Sequence, residues 1–218
     1  MNKTKTNLII SGSLFLTFII FTLLVKLVDV NFVYTAEIGF SSLNKTVFDG
    51  LGTSEFFYDL TEILGLLTFA IIIFFAGLGG YQLIKNKSIK HVDVKIIILG
   101  AFYVLVFLFY IAFEIVVINY RPVLIDGEIE ASYPSSHSML SICVTASAMI
   151  MANEYLKNKN LKIACYGVGS AIILVMVVGR LLSGVHWFTD IIGAILLSVS
   201  LIYAFYTAIT YYKEKCEK

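Results

Sequence analysis

Arginine is nearly absent from this chain: two copies in 218 residues, against fourteen lysines. Proline is as scarce, with two copies. Histidine and cysteine each occur three times. Charged residues make up only 14% of the chain. Each shortage excludes something. Cys143, Cys165 and Cys216 have no spacing that would suit a disulfide framework or a metal cluster. A net charge of +1 offers no basic surface to a nucleic acid. No linker or low-complexity run divides the chain, so residues 1–218 read as one domain.

What the chain has instead is apolar sequence. Hydrophobic residues reach 59%, above the roughly 45–50% of a soluble globular domain. Six runs are each long enough to cross a bilayer as a helix: Leu8–Leu27, Ile63–Ile84, Ile96–Ile118, Ser138–Tyr155, Ile163–Leu182 and Ile191–Tyr211. Lipid offers no hydrogen-bond partners, so each run is expected to be a closed helix. The expected fold is an all-α, six-span membrane bundle. The first run exceeds a signal peptide's apolar core, and no convincing small-residue cleavage site follows it, so it reads as a retained span.

Lysine placement orients the spans. Twelve of the fourteen lysines fall before span one, between spans two and three, between four and five, or after six. The positive-inside rule makes that side the cytoplasm, with both termini on it. A bacterial cytoplasmic membrane suits this arrangement. The longest segment on the other face, 28–62, mixes aromatics with acids and small residues. It reads as short amphipathic helices at the interface, dipping Phe, Tyr and Leu into lipid. In the loop 119–137, Asp126, Glu128 and Glu130 read as a solvated acidic face.

The scarce residues are not scattered. Both arginines (Arg121, Arg180), both prolines (Pro122, Pro134) and two of the three histidines (His137, His186) lie at the ends of spans on that same outer face. Helices returning to one face can bring them together. Pro122 is expected to stop the third helix and fix Arg121 beside it. Ser135 and Ser136 precede the fourth helix, where a serine cap and free amides make an anion site. His186 and Asp190 are four residues apart; on one helix they share a face, and the carboxylate can orient one ring nitrogen and leave the other nucleophilic. Guanidiniums bind phosphate oxygens in a planar fork. The set suits phosphoryl transfer, which needs positioning and charge stabilisation. It calls for no metal and no cofactor, because two guanidiniums can supply the positive charge.

Three motifs carry a resemblance. Glu114 to Pro122 reads E-x6-RP, Pro134 to His137 reads PSSH, and Gly179 to Asp190 reads GR-x5-H-x3-D. They resemble the K-x6-RP, PSGH and SR-x5-H-x3-D motifs of the type 2 phosphatidic-acid phosphatase superfamily, over a core of about residues 60–211. The resemblance implies a six-span enzyme with its site at the outer face. His186 would attack phosphorus, Asp190 would orient it, and His137 would protonate the leaving group. Arg121, Arg180, Ser135 and Ser136 would hold the phosphoryl oxygens.

Three residues depart from the pattern: Gly179 for serine, Ser136 for glycine, and Glu114 for a phosphate-binding lysine. A charge deep in a span costs about 2.5–3.5 kcal/mol on insertion scales. Glu114 is therefore expected to pair with Arg121 or Arg180; a protonated carboxyl, or drift to another substrate or to no catalysis, are the alternatives. The expected function is hydrolysis of a lipid phosphomonoester through a phosphohistidine, with the bilayer and a membrane lipid phosphate as partners. A polyprenyl (undecaprenyl-type) diphosphate phosphatase and a non-catalytic lipid-phosphate binder are the competing readings.

Overall fold

The structure, a computed structural model, describes residues 3–125 and 127–216. Seven α-helices run in the order α1 (Lys3–Leu27), α2 (Ser41–Leu51), α3 (Glu55–Asn86), α4 (Val94–Ile115), α5 (Ser136–Tyr155), α6 (Lys159–Leu182) and α7 (Phe188–Cys216). A small antiparallel hairpin, β1 (Asn31–Val33) and β2 (Ala36–Ile38), lies between α1 and α2.

Helix α5 is the centre of the bundle, packed against α3, α4, α6 and α7, while α1 lies along α7. The core joins Phe18 and Val25 of α1, Leu99 and Phe102 of α4, Met139 and Cys143 of α5, and Leu197 and Phe205 of α7. Among the described residues, α1, α3, α4, α6 and α7 are long and apolar enough to cross a membrane. The expected fourth span, α5, does not reach that apolarity. Its position explains why: Ser138, Ser141, Thr145 and Ser147 are buried against neighbouring helices. A helix packed among other helices can turn small and hydroxyl side chains to them.

Contacts gather the chain's polar ends. Thr4 Oγ1 donates to Glu214 at 2.7 Å. Lys95 and Lys213 reach Glu154 at 3.2 and 2.9 Å. Tyr155 donates to Asp93 at 2.6 Å. The start of α1, the end of α7 and the α3–α4 and α5–α6 turns therefore share one end of the bundle. The hairpin, α2, and the α4–α5 and α6–α7 connections share the other.

Segment 28–62 differs from the interfacial helices expected of it. Only α2 lies within it as a complete helix, and α3 already begins at Glu55. Val33, Ile38 and Phe48 cluster on the chain's single tryptophan, Trp187, rather than on lipid; Phe32 and Phe56 stay exposed. Polar contacts lock this cap to α7. Asn44 is fully buried; its amide nitrogen donates to Gly39 O and Thr189 Oγ1, both at 2.9 Å, and its oxygen accepts from Thr189 N at 3.1 Å. Asn44→Ala strands those groups in the interior, at a cost of about 1–3 kcal/mol. The expected result is a melting temperature several degrees lower in detergent. An unchanged melting temperature would show that the cap is not coupled to the bundle.

Candidate active site

The α6–α7 connection carries the last motif. Gly184 adopts φ +74, and a side chain there would collide with Thr53 and with the backbone of Gly52. This left-handed turn lets the chain pass close to the cap and present His186 before α7 begins. His186 is therefore not on the helix that carries Asp190, as their spacing suggested. Asp190 Oδ2 accepts the Trp187 N–H at 2.8 Å, and its distance to His186 Nδ1 is 3.7 Å. The nearer partner of His186 is Ser132: Nδ1–H donates to the Ser132 carbonyl at 3.1 Å. A carbonyl can only accept, so this contact places the proton on Nδ1 and leaves the lone pair on Nε2. Nε2 is buried and has no hydrogen-bond partner among the described residues. Burial, and then the charges of Arg121 and Arg180, hold this imidazole well below its ordinary pKa of 6.5, so it stays neutral. The expected outcome of the motif, one oriented nitrogen and one free, is present with a backbone carbonyl as the closer orienting group.

The α4–α5 connection supplies Arg121 and the start of α5. Helix α4 stops at Ile115, well short of Pro122, so the proline does not end it. The chain then folds back, with Arg121 N donating to Glu130 O at 3.0 Å and Ser132 N donating to Asn119 O at 2.9 Å. Arg121 Nε lies 3.1 Å from Glu130 Oε2. Glu130 is thus an arginine partner, not simply part of a solvated face; Asp126 lies outside the described residues. Ser135 is committed within the protein: its N–H donates to Asp190 O at 3.1 Å and its hydroxyl to Ser138 Oγ at 3.0 Å. Ser136 is the more accessible of the two serines and lines the site.

Arg180 is buried near the end of α6. Its Nη1 donates to Glu62 Oε1 at 2.9 Å and to Thr61 Oγ1 at 3.3 Å, and the guanidinium lies over the Tyr58 ring at 5.6 Å. Gly179 has a packing reason: a side chain there would come within 2.7 Å of Thr61 Cγ2. The departure from serine lets α3 approach α6 and bring Glu62 to the arginine.

The expected ion pair of Glu114 is not formed among the described residues. Arg121 takes Glu130 and Arg180 takes Glu62. Two helical turns would have joined residues 114 and 121, but the helix ends between them. Glu114 instead lines a tight crevice with Ser132, Ser136 and His186. A second, larger cavity of about 320 Å³ runs between α3, α4 and α5, from Ser136 and His137 to Phe69, Ile72 and Phe107.

The residues that escaped the sequence reading are Glu62, Thr61, Tyr58, Glu130 and Ser132. Glu62 had a faint signal, as the acid directly before an apolar run. Ser132 acts through its backbone, which no side chain announces.

The sequence matches the model of the PAP2 superfamily over residues 11–214. Among curated proteins, none matches the chain. The structure is similar to the crystal structure of a transmembrane PAP2-type phosphatidylglycerolphosphate phosphatase from Bacillus subtilis, with a TM-score of 0.62 and 18% identity over 95% of this chain and 98% of that one. A family match over nearly the whole length, a shared fold, and three motifs whose histidines and arginines meet at one end of the bundle lead to one conclusion: the chain belongs to the PAP2 superfamily.

Proposed function

We propose that the protein is a membrane phosphatase that hydrolyses a lipid phosphomonoester through a phosphohistidine. The observation that carries this reading is His186: a buried neutral imidazole with Nδ1–H tied to a carbonyl and Nε2 unpartnered. Such a group is a nucleophile. Arg121 and Arg180 would hold the phosphoryl oxygens, assisted by Ser136 and the free amides at the start of α5. Asp190, beside the nucleophile, would stabilise the positive charge that the ring acquires on attack. His137 would protonate the leaving alkoxide. The two guanidiniums supply the charge that a metal would otherwise bring. The cavity between α3, α4 and α5 is lined mainly by apolar side chains and leads away from His137, which suits a lipid tail.

In this reading α5 is a sixth span, shielded by its neighbours, and the lysine-rich end with both termini faces the cytoplasm. The site then opens on the outer face. The deciding test is phosphate release from a panel of lipid phosphates by purified protein in detergent with EDTA. Release from a monoester is the expected result; no release from any lipid would sink the proposal.

Glu114 sets how strongly the site attracts an anion. It lines the same crevice as His186 and holds neither arginine, so Glu114→Lys removes a repulsion without freeing a partner. KM for a lipid monoester is expected to fall on the order of tenfold, about 1.4 kcal/mol, with kcat little changed. An unchanged KM would show that residue 114 does not sense the substrate.

A further inference from the structure

Glu62 touches two of the groups that the proposed reaction needs. One carboxylate oxygen lies 2.9 Å from Arg180 Nη1 and the other 3.4 Å from His137 Nε2. No motif contains this residue, and it comes from α3, which none of the three motifs reaches.

The geometry assigns each edge of the His137 ring. A side chain built on Gly65 would come within 3.3 Å of His137 Cδ2 and 3.7 Å of Nε2. The Nε2–Cδ2 edge therefore lies against α3, where both Gly65 and Glu62 sit. The opposite edge carries Nδ1, which is buried and has no hydrogen-bond partner among the described residues. A carboxylate accepts and cannot donate, so the nitrogen facing it keeps its proton. The proton that comes and goes must then be the one on Nδ1. Arg180 holds the other carboxylate oxygen and so fixes the direction from which Glu62 meets the ring.

We propose that Glu62 is the positioning residue of the acid histidine, its carboxylate directing the reactive proton of His137 to Nδ1. The proposal rests on the phosphatase reading above. In the first step the bond from phosphorus to the lipid oxygen breaks while a bond from His186 Nε2 to phosphorus forms. The substrate, bound as its monoanion, brings the second proton, which passes to His137 Nδ1; the leaving oxygen takes that proton, and His137 becomes neutral and keeps Nε2–H on Glu62. In the second step a water oxygen attacks phosphorus and one of its protons returns to His137 Nδ1. The phosphorus–nitrogen bond breaks, and its electron pair returns to His186. Glu62 gains and loses no proton.

An acid histidine matters in proportion to how poor the leaving group is. An alkoxide must be protonated as it departs; a nitrophenolate leaves unaided. The test is kcat/KM of the full-length protein in detergent, wild type against Glu62→Gln, with hexadecyl phosphate and with 4-nitrophenyl phosphate. The glutamine oxygen still accepts from Arg180, so the expected result is a loss of about 100-fold on the alkyl ester, at most about threefold on the nitrophenyl ester, and an unchanged KM for the alkyl ester. Glu62→Asp, which keeps the charge at a shorter reach, is expected to show the same selectivity with a smaller loss, and serves if the glutamine variant does not fold.

Equal losses on both esters would overturn the assignment, because a purely structural role does not distinguish leaving groups. A lower KM with kcat intact would also overturn it, and would mean that Glu62 merely fills the phosphate position. Wild-type protein that cleaves neither ester would overturn the phosphatase reading itself, and this assignment with it.

Discussion

Replacing His186 by alanine is expected to abolish phosphate release, by a factor of about 10⁴ or more in kcat. Little in the surroundings can take over. His137 presents Nε2 to Glu62 at 3.4 Å, and Ser135 spends its hydroxyl on Ser138. Water remains as a direct nucleophile, but the site would have to activate it without the group that accepts phosphorus. The substitution removes one hydrogen bond, from Nδ1–H to the Ser132 carbonyl, so the variant should fold with a moderately lower melting temperature. Rapid quenching after mixing with a labelled lipid phosphate adds a second reading. Wild-type protein should retain label that survives alkali and is lost in acid, as a phosphoramidate is; the alanine variant should retain none. Activity within tenfold of wild type would remove His186 from the role of nucleophile.

The part of the site visible in the sequence was visible because its residue types are rare. Two arginines, two prolines and two of three histidines at span ends on one face are a pattern that apolar filler does not produce. The partners of those residues were not visible, for a physical reason. A carboxylate that pairs with an arginine from another helix looks the same in sequence as one that faces water. By sequence Glu130 belongs to a solvated acidic loop and Glu62 to an interfacial segment, yet Glu130 holds Arg121 and Glu62 holds Arg180. Glu114 is the converse case: its spacing to Arg121 would pair the two on a continuous helix, but α4 ends one residue after it, at Ile115. The spans followed the same division. Helices α1, α3, α4, α6 and α7 declare themselves by apolarity. Helix α5 does not declare itself in this way, because its buried serines and threonine are turned to other helices. The cap at 28–54 was the least legible part, since its apolar residues serve Trp187 rather than a long span of their own.

The second large effect is expected at Arg180, and it should appear even for the conservative change to lysine. Three features hold this guanidinium: the Glu62 carboxylate at 2.9 Å, the Thr61 hydroxyl at 3.3 Å and the Tyr58 ring at 5.6 Å. Together they fix a planar group in one orientation, with Nε buried and unpartnered among the described residues. A plane held this way can offer its remaining donors to phosphoryl oxygens without reorganising as charge develops. Lysine keeps the charge but is a rotatable point donor. Drawn to Glu62, its ammonium would have little left for substrate. Arg180→Lys should therefore lower kcat/KM for a lipid monoester by about 10²–10³-fold, the size of effect seen when a preorganised transition-state donor is removed. The loss should fall mainly on kcat, because fixed geometry counts most in the transition state. Arg121→Lys should cost less, since the main side-chain partner of Arg121, Glu130, is 45% exposed and leaves that guanidinium less tightly framed. Competition by vanadate, which takes up the trigonal-bipyramidal geometry of the transition state, should weaken in parallel with kcat for the Arg180 variant. If Arg180→Lys keeps more than a third of wild-type kcat/KM, the frame of Tyr58, Thr61 and Glu62 holds a charge and not a shape, and Arg180 acts in this site only as a cation.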